Sequence, residues 1–149
     1  MKSILEKIRS AVNFELAIRI CLVLFGIFSL FHFAVILGIV AFNIVPLEYL
    51  WGGRMQTKEE LLVFEIISLV VQLLCYWVIV LKRKHIQTTQ SNLIVESLIW
   101  ILCVVFFINT IGNLVAKTMV ETLLGTPITA ILCFILFRIG IEKKSNSAA

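Results

Sequence analysis

A few charged, amide and indole side chains lie beside or within the long apolar runs of this chain. These are the side chains that could bind a ligand or take part in a reaction. We call the largest group the outer polar set, and it consists of Trp51, Arg54, Glu65, Asn109, Asn113, Lys117 and Glu121. Asn109, Asn113 and Lys117 are spaced i, i+4 and i+8, which predicts that they share one helix face. Charges and amides are costly inside a bilayer, so each of them needs a structural or functional reason.

Two interpretations of the outer polar set stay open from the residues alone. In the first, it forms a shallow site for a small polar or amphipathic ligand, with a charge-balanced cluster under the Gly52–Gly53 turn. The members of that predicted cluster are Arg54, Glu65, Lys117 and Glu121. In the second, the same side chains are helix caps and interhelical hydrogen bonds that hold a helical bundle together.

Two smaller polar groups are predicted at other depths. His32 and Gln72 fall near the middle of their apolar runs, where His32 is either a proton relay, a haem ligand or a neutral hydrogen-bonded residue. Haem held by two histidines is excluded for a single chain, because the other histidine, His85, lies in a basic loop. At the opposite end of the runs, Glu96 is expected to bridge Arg19 and Arg138.

The sequence lacks the patterns that would indicate a metal or cofactor site. The four cysteines all lie inside apolar runs and form no Cys-x-x-Cys pair, which favours small buried hydrophobic residues over a zinc or disulfide framework. No phosphate-binding glycine loop, zinc-protease motif, nucleophile elbow or EF-hand is present. The sequence therefore predicts no metal and no cofactor, and it favours a protein that is not an enzyme.

The elements that must position these residues are membrane-spanning helices. Hydrophobic residues make up 60% of the 149 positions and charged residues 15%, with a mean hydropathy of +1.05. A soluble domain has about 25% charged residues, so lipid is the expected solvent. The apolar runs predict an all-α integral membrane four-helix bundle in one domain. Its spans are predicted at 18–44, 60–82, 94–116 and 119–140, after an amphipathic segment at 1–15 and before a polar tail at 145–149.

The basic residues predict the orientation of the bundle. Ten of the thirteen lysines and arginines lie on the side of the two termini, and three lie on the side of the 43–60 loop. Cytoplasmic loops carry an excess of basic residues, so both termini are predicted to be cytoplasmic, in a cell membrane. The net charge of +4 thus reflects membrane orientation rather than binding to nucleic acid.

Segments 50–55 (LWGGRM), 59–65 (EELLVFE) and 109–117 (NTIGNLVAK), with Thr126–Pro127, resemble small bacterial four-span membrane proteins of uncharacterised function that carry a Trp-Gly-Gly-Arg outer loop. The resemblance covers most of the chain and implies a bacterial cytoplasmic membrane, but no activity. The sterol-isomerase and emopamil-binding superfamily is similar only as a fold analogy, because its motif has no residue-by-residue match here.

These observations lead to two functional hypotheses. The first is a non-enzymatic membrane protein, either a partner subunit or a binder of a small amphipathic ligand, that uses the outer polar set as its contact surface. Its expected partners are the lipid bilayer, a membrane protein or a second copy of the chain. The alternative is a small membrane enzyme or transporter for a lipid-like or amphipathic substrate, with Glu65 as the acid or base. That alternative predicts that Glu65, Asn113 and Lys117 surround a cavity.

Overall fold

The computed structural model describes residues 3–87 and 92–142, and in these ranges the protein is all-α. The α-helices are α1 (Ile4–Ala11), α2 (Phe14–Phe42), α3 (Lys58–Gln87), α4 (Leu93–Leu114) and α5 (Thr126–Gly140). A 3-10 turn at Trp51–Gly53 lies in the loop between α2 and α3, and a π-helical turn at Glu121–Gly125 leads into α5. Between Phe42 and Lys58 the chain forms what we call the outer loop.

Four helical segments are long and apolar enough to cross a membrane: Phe14–Phe42, Lys58–Ile86, Leu93–Leu114 and Glu121–Gly140. Their lengths of 29, 29, 22 and 20 residues meet the requirement of about 20 residues for a helix that spans the hydrocarbon core. Large apolar side chains cover the outside of the bundle, as a lipid solvent requires. The predicted all-α bundle of four membrane-spanning helices is confirmed.

The ends of the four spanning segments differ from the predicted spans by at most five residues, and the last segment ends at Gly140 as predicted. Helix α2 begins at Phe14 because the Asn13 side chain accepts the N–H of Leu16 at 3.2 Å. It ends at Phe42, because the next residue, Asn43, has a left-handed backbone (φ 54°) that stops the helix before Pro46. Helix α3 continues through the basic residues Lys82, Arg83 and Lys84 to Gln87. The predicted polar tail at 145–149 lies outside the described residues.

Two helix starts carry a Thr-x-x-Glu sequence, Thr57–Glu60 and Thr118–Glu121, and the first of the two forms a full capping box. At α3, the Thr57 hydroxyl accepts the N–H of Glu60 at 3.2 Å, and the Glu60 carboxylate accepts the N–H of Thr57 at 3.4 Å. Before α5, Thr118 accepts the N–H of Glu121 at 3.4 Å, but its hydroxyl donates to the Glu121 carboxylate at 3.0 Å. The Glu121 side chain thus reaches out of its own turn, toward the outer loop.

The core lies among all four long helices, with α2 packed on α3 and α4 packed on α5 as two antiparallel hairpins. Phe25 of α2 and Phe106 of α4 meet at its centre, with ring centroids 5.6 Å apart. The four cysteines are free thiols, and three of them are buried. The hairpins also meet at one end, where Arg138 donates to the Val12 carbonyl at 2.6 Å and Arg9 donates to the Ile141 carbonyl at 3.0 Å. Residues near the two termini therefore share one end of the bundle, as predicted.

Candidate functional site

Glu65 is the centre of the candidate site, at the end of the bundle where the outer loop lies. Its side chain projects from α3 and is only 1% exposed. His32 of α2 places Nδ1 2.7 Å from one carboxylate oxygen, and the Trp51 indole N–H donates to the other at 2.9 Å. Both oxygens are therefore occupied, and the short His32–Glu65 contact requires one proton between its two atoms.

Glu121 holds the next residue of the same loop from the opposite hairpin. Its carboxylate accepts the backbone N–H of Gly52 at 2.7 Å and the Thr118 hydroxyl at 3.0 Å. Consecutive residues Trp51 and Gly52 are thus bonded to two acids, one on α3 and one at the start of the α5 segment. We call the group of Trp51, Gly52, Glu65, Glu121 and His32 the outer clamp. Charged acceptors make such bonds stronger than those between neutral groups.

The backbone of the outer loop at Trp51–Gly53 adopts a conformation that L-residues rarely take. Trp51, Gly52 and Gly53 have φ values of 55°, 68° and 65°. Glycine adopts this region of φ at no steric cost, but for Trp51 the same conformation has a steric cost of about 1–2 kcal/mol. The Trp51 ring compensates by packing against Phe64, with centroids 5.4 Å apart, in addition to its bond to Glu65. Gly52 is buried, so the loop is pressed onto the bundle.

Asn113 belongs to the packing of α4 on α5. Its amide donates to the Thr129 hydroxyl at 3.2 Å, and that hydroxyl in turn donates to the Gly125 carbonyl at 2.8 Å. The amide also lies against Gly125, where an added Cβ would be 3.0 Å from its nitrogen. This part of the outer polar set forms interhelical hydrogen bonds of the kind that hold membrane bundles together.

The predicted charge-balanced cluster is wrong for its two basic members. Arg54 and Lys117 are exposed, and neither takes part in any ion pair recorded for residues 3–87 and 92–142. Because α4 ends at Leu114, Lys117 lies beyond the helix and does not continue the face of Asn113. Asn109 is exposed on the outside of α4. The expected convergence of Lys117 with Glu65 and Asn113 is therefore not found.

His32 was predicted in a separate group at mid-membrane depth, and its pairing with Glu65 corrects that prediction. Since α2 begins at Phe14, four residues before the predicted span, its midpoint shifts and His32 lies nearer the outer loop. Gln72, two turns further along α3 than Glu65, is the remaining residue of the predicted middle group. Its side-chain oxygen is buried without a hydrogen-bond partner in the described part of the chain.

At the opposite end of the bundle, the predicted bridge from Glu96 to Arg19 and Arg138 is wrong. Glu96 instead bonds Lys82 at 2.5 Å, and the Lys82 side chain is 0% exposed. Arg138 pairs with Glu142 at 2.5 Å, while Arg19 is exposed. Sequence reasoning missed Lys82 because it was the last residue of the predicted span 60–82, next to the predicted basic loop, where a lysine needs no partner. Buried positions Glu65, Cys75, Ile79 and Lys82 follow one helical stripe, and that spacing could have located it.

Comparisons with protein-family models, curated proteins and solved structures returned no match to this chain. The described residues also contain no group of three or more histidine, cysteine or acidic side chains placed to hold a metal ion. The fold and site define a membrane-spanning four-helix bundle in which buried Glu65 pairs with half-buried His32 under a clamped loop.

Proposed function

We propose that this protein is a non-enzymatic membrane protein that acts by binding a partner subunit or a small amphipathic ligand, with the outer loop as its contact surface. The observation that carries the proposal is the outer clamp. Two carboxylates from different hairpins hold consecutive loop residues, Trp51 at 2.9 Å and Gly52 at 2.7 Å. A loop held in this way has a fixed conformation and presents a defined surface to a partner.

The strain in the loop supports a functional reason for the clamp. A connection between two antiparallel helices needs no non-glycine residue at positive φ, yet Trp51 is held at 55°. Such strain persists only where surrounding contacts enforce it, and it is concentrated at functional sites. A buried acid such as Glu65 is likewise costly in a membrane protein and is a functional-site hypothesis by default.

The chemistry of the exposed surface favours an anionic group on the partner. Arg54 lies two residues after the clamped Gly52, and Lys117 lies in the turn before the Glu121 segment. Both are exposed and outside the recorded ion pairs of the described chain. A carboxylate or phosphate on the ligand or partner would pair with them, and arginine offers a two-pronged contact for either group. We place this surface on the outside of a bacterial cytoplasmic membrane, with both termini in the cytoplasm.

Gln56 is exposed in the outer loop two residues after Arg54, and a photoreactive amino acid introduced there in the native membrane tests the proposal while Arg54 stays in place. The expected result is one discrete adduct that disappears when Trp51→Ala releases the loop. The same label at exposed Met119 is the control for non-specific labelling at this end of the bundle. Equal labelling from both positions, or an adduct that persists in Trp51→Ala, would contradict a loop-specific contact.

A second function is favoured by one observation, the 2.7 Å contact between His32 and Glu65. A buried acid next to a histidine can exchange a proton, which fits a small membrane enzyme or transporter that uses Glu65 as acid or base. Proteoliposomes with an internal pH dye separate binding from proton-coupled transport. Proton uptake that is lost in Glu65→Gln and retained in Glu121→Gln would favour the second function, and absence of uptake in the unmodified protein would favour binding.

A further inference from the structure

The lipid-facing side of helix α4 carries a polar side chain and a glycine, and neither residue gains stability from contact with lipid. Asn109 is exposed, and within residues 3–87 and 92–142 its amide has no hydrogen-bond partner. Gly112, three residues further along, is also exposed, and a Cβ added there would meet no atom within 4 Å. Three and four residues apart are neighbouring positions on a helix, so a polar group lies beside an open gap in the side-chain surface.

The position of Asn109 along the bundle places it in the hydrocarbon region. Glu96, which pairs with Lys82, lies in the first turn of α4, at the end of the bundle away from the outer loop. At 1.5 Å per residue, Asn109 lies about 20 Å from Glu96 along the helix axis. The hydrocarbon core is about 30 Å thick, so this depth is below the outer interface. Asn109 is also one helical turn deeper than Asn113, whose amide is bonded to Thr129.

An amide exposed at that depth favours contact with another helix. Lipid offers the amide no hydrogen bond, whereas a neighbouring helix can. Apolar side chains gain little from such a contact, because lipid tails are as apolar as leucine. Helix association in lipid therefore depends on hydrogen bonds and on close approach of the two backbones. Asn109 can supply the hydrogen bond, and Gly112 allows the close approach. Between Trp100 and Val105 the same helix borders an open groove of about 300 Å³ that could receive side chains.

A second copy of this chain fits that face better than an unrelated helix. Copies inserted in the same orientation present Asn109 at the same depth, so a two-fold axis along the membrane normal brings α4 against α4 in parallel. The asparagine amide is both donor and acceptor, and therefore pairs with its own copy. Gly112 faces its copy across the same axis, where the missing side chain allows the two backbones to approach.

We infer that the protein forms a parallel two-fold dimer through α4, with paired Asn109 amides and close contact at Gly112. This inference goes beyond the proposed function and does not depend on the outer clamp. The dimer interface lies on the lipid-facing side of α4, and the outer loops of both copies remain free to bind a partner.

Cysteine cross-linking in native membranes tests the interface. Asn109→Cys and Gly112→Cys should give a disulfide-linked dimer when copper–phenanthroline and dissolved oxygen oxidise the two facing thiols. Val70→Cys is the matched control, because Val70 is exposed on α3 at a similar depth. The unmodified chain, with three buried cysteines and one half-buried, gives the background. Cross-linking at position 70 as fast as at 109 and 112, or no dimer from either α4 position, would overturn the inference.

Association in lipid vesicles gives a second measurement that does not require cysteines. Energy transfer between labelled copies of the full chain should show that Asn109→Leu weakens dimerisation about tenfold, since two amide hydrogen bonds in lipid are lost. Asn109→Gln retains the amide and should remain within about threefold of the unmodified chain. Equal weakening by Leu and Gln, or none by Leu, would contradict paired amides.

Discussion

Replacing Glu121 by alanine should release the Gly52 end of the outer loop while the Trp51 end stays bonded to Glu65. The change removes the acceptor of the Gly52 N–H, which is 2.7 Å from the carboxylate in a buried position. A hydrogen bond to a charged group contributes about 1.5–3 kcal/mol, and the Thr118 hydroxyl that also loses its acceptor can turn to another partner. The expected loss for local opening of the loop is therefore about 2 kcal/mol.

Hydrogen–deuterium exchange at Gly52 measures that loss directly, because exchange reports the free energy of local opening. A change of about 2 kcal/mol corresponds to exchange roughly 30-fold faster in Glu121→Ala, with protection in the middle of α2 and α3 unchanged. Glu121→Gln is the control, since its side-chain oxygen can still accept the N–H, and it should fall between the two. If Gly52 exchanges equally fast with glutamate and alanine at position 121, then Glu121 does not hold the loop.

Three further predictions concern the same loop and the bundle below it. Gly52→Ala should destabilise the folded protein more than Gly53→Ala, as measured by an unfolding titration in detergent. Both residues have positive φ, so both substitutions are strained. The new Cβ at position 52 would lie 3.3 Å from the Glu121 carboxylate, whereas the one at position 53 would lie 3.5 Å from a backbone oxygen. His32→Leu should cost about 3–5 kcal/mol of unfolding free energy because it leaves one oxygen of buried Glu65 without a partner. The double change with Glu65→Leu should cost less than the sum of the single changes, and additive effects would show that the pair is not coupled. Tags fused to the two termini should both be inaccessible from outside intact cells, and a tag exposed at either end would contradict the orientation read from the basic residues.

The number of spans was predictable from the sequence because it depends on local properties. Apolar runs of about 20 residues, interrupted by charges and capped by Thr57–Glu60, require helices once lipid is the solvent. The end of α2 was harder to locate, since Asn43 stops the helix by a left-handed backbone that no single residue type guarantees. The membrane-spanning four-helix bundle therefore follows from composition and periodicity.

The partners of the polar residues were decided by the tertiary structure. Glu65 was a candidate from its position in an apolar run, but its pairing with His32 depends on the register of two antiparallel helices, and a shift of one turn moves a side chain by about 5.4 Å. Glu96 bonds Lys82 rather than the predicted arginines for the same reason. The sequence determined which residues needed partners, because burying charge in lipid is costly, and only the packing of the hairpins and the outer loop determined which partners they found.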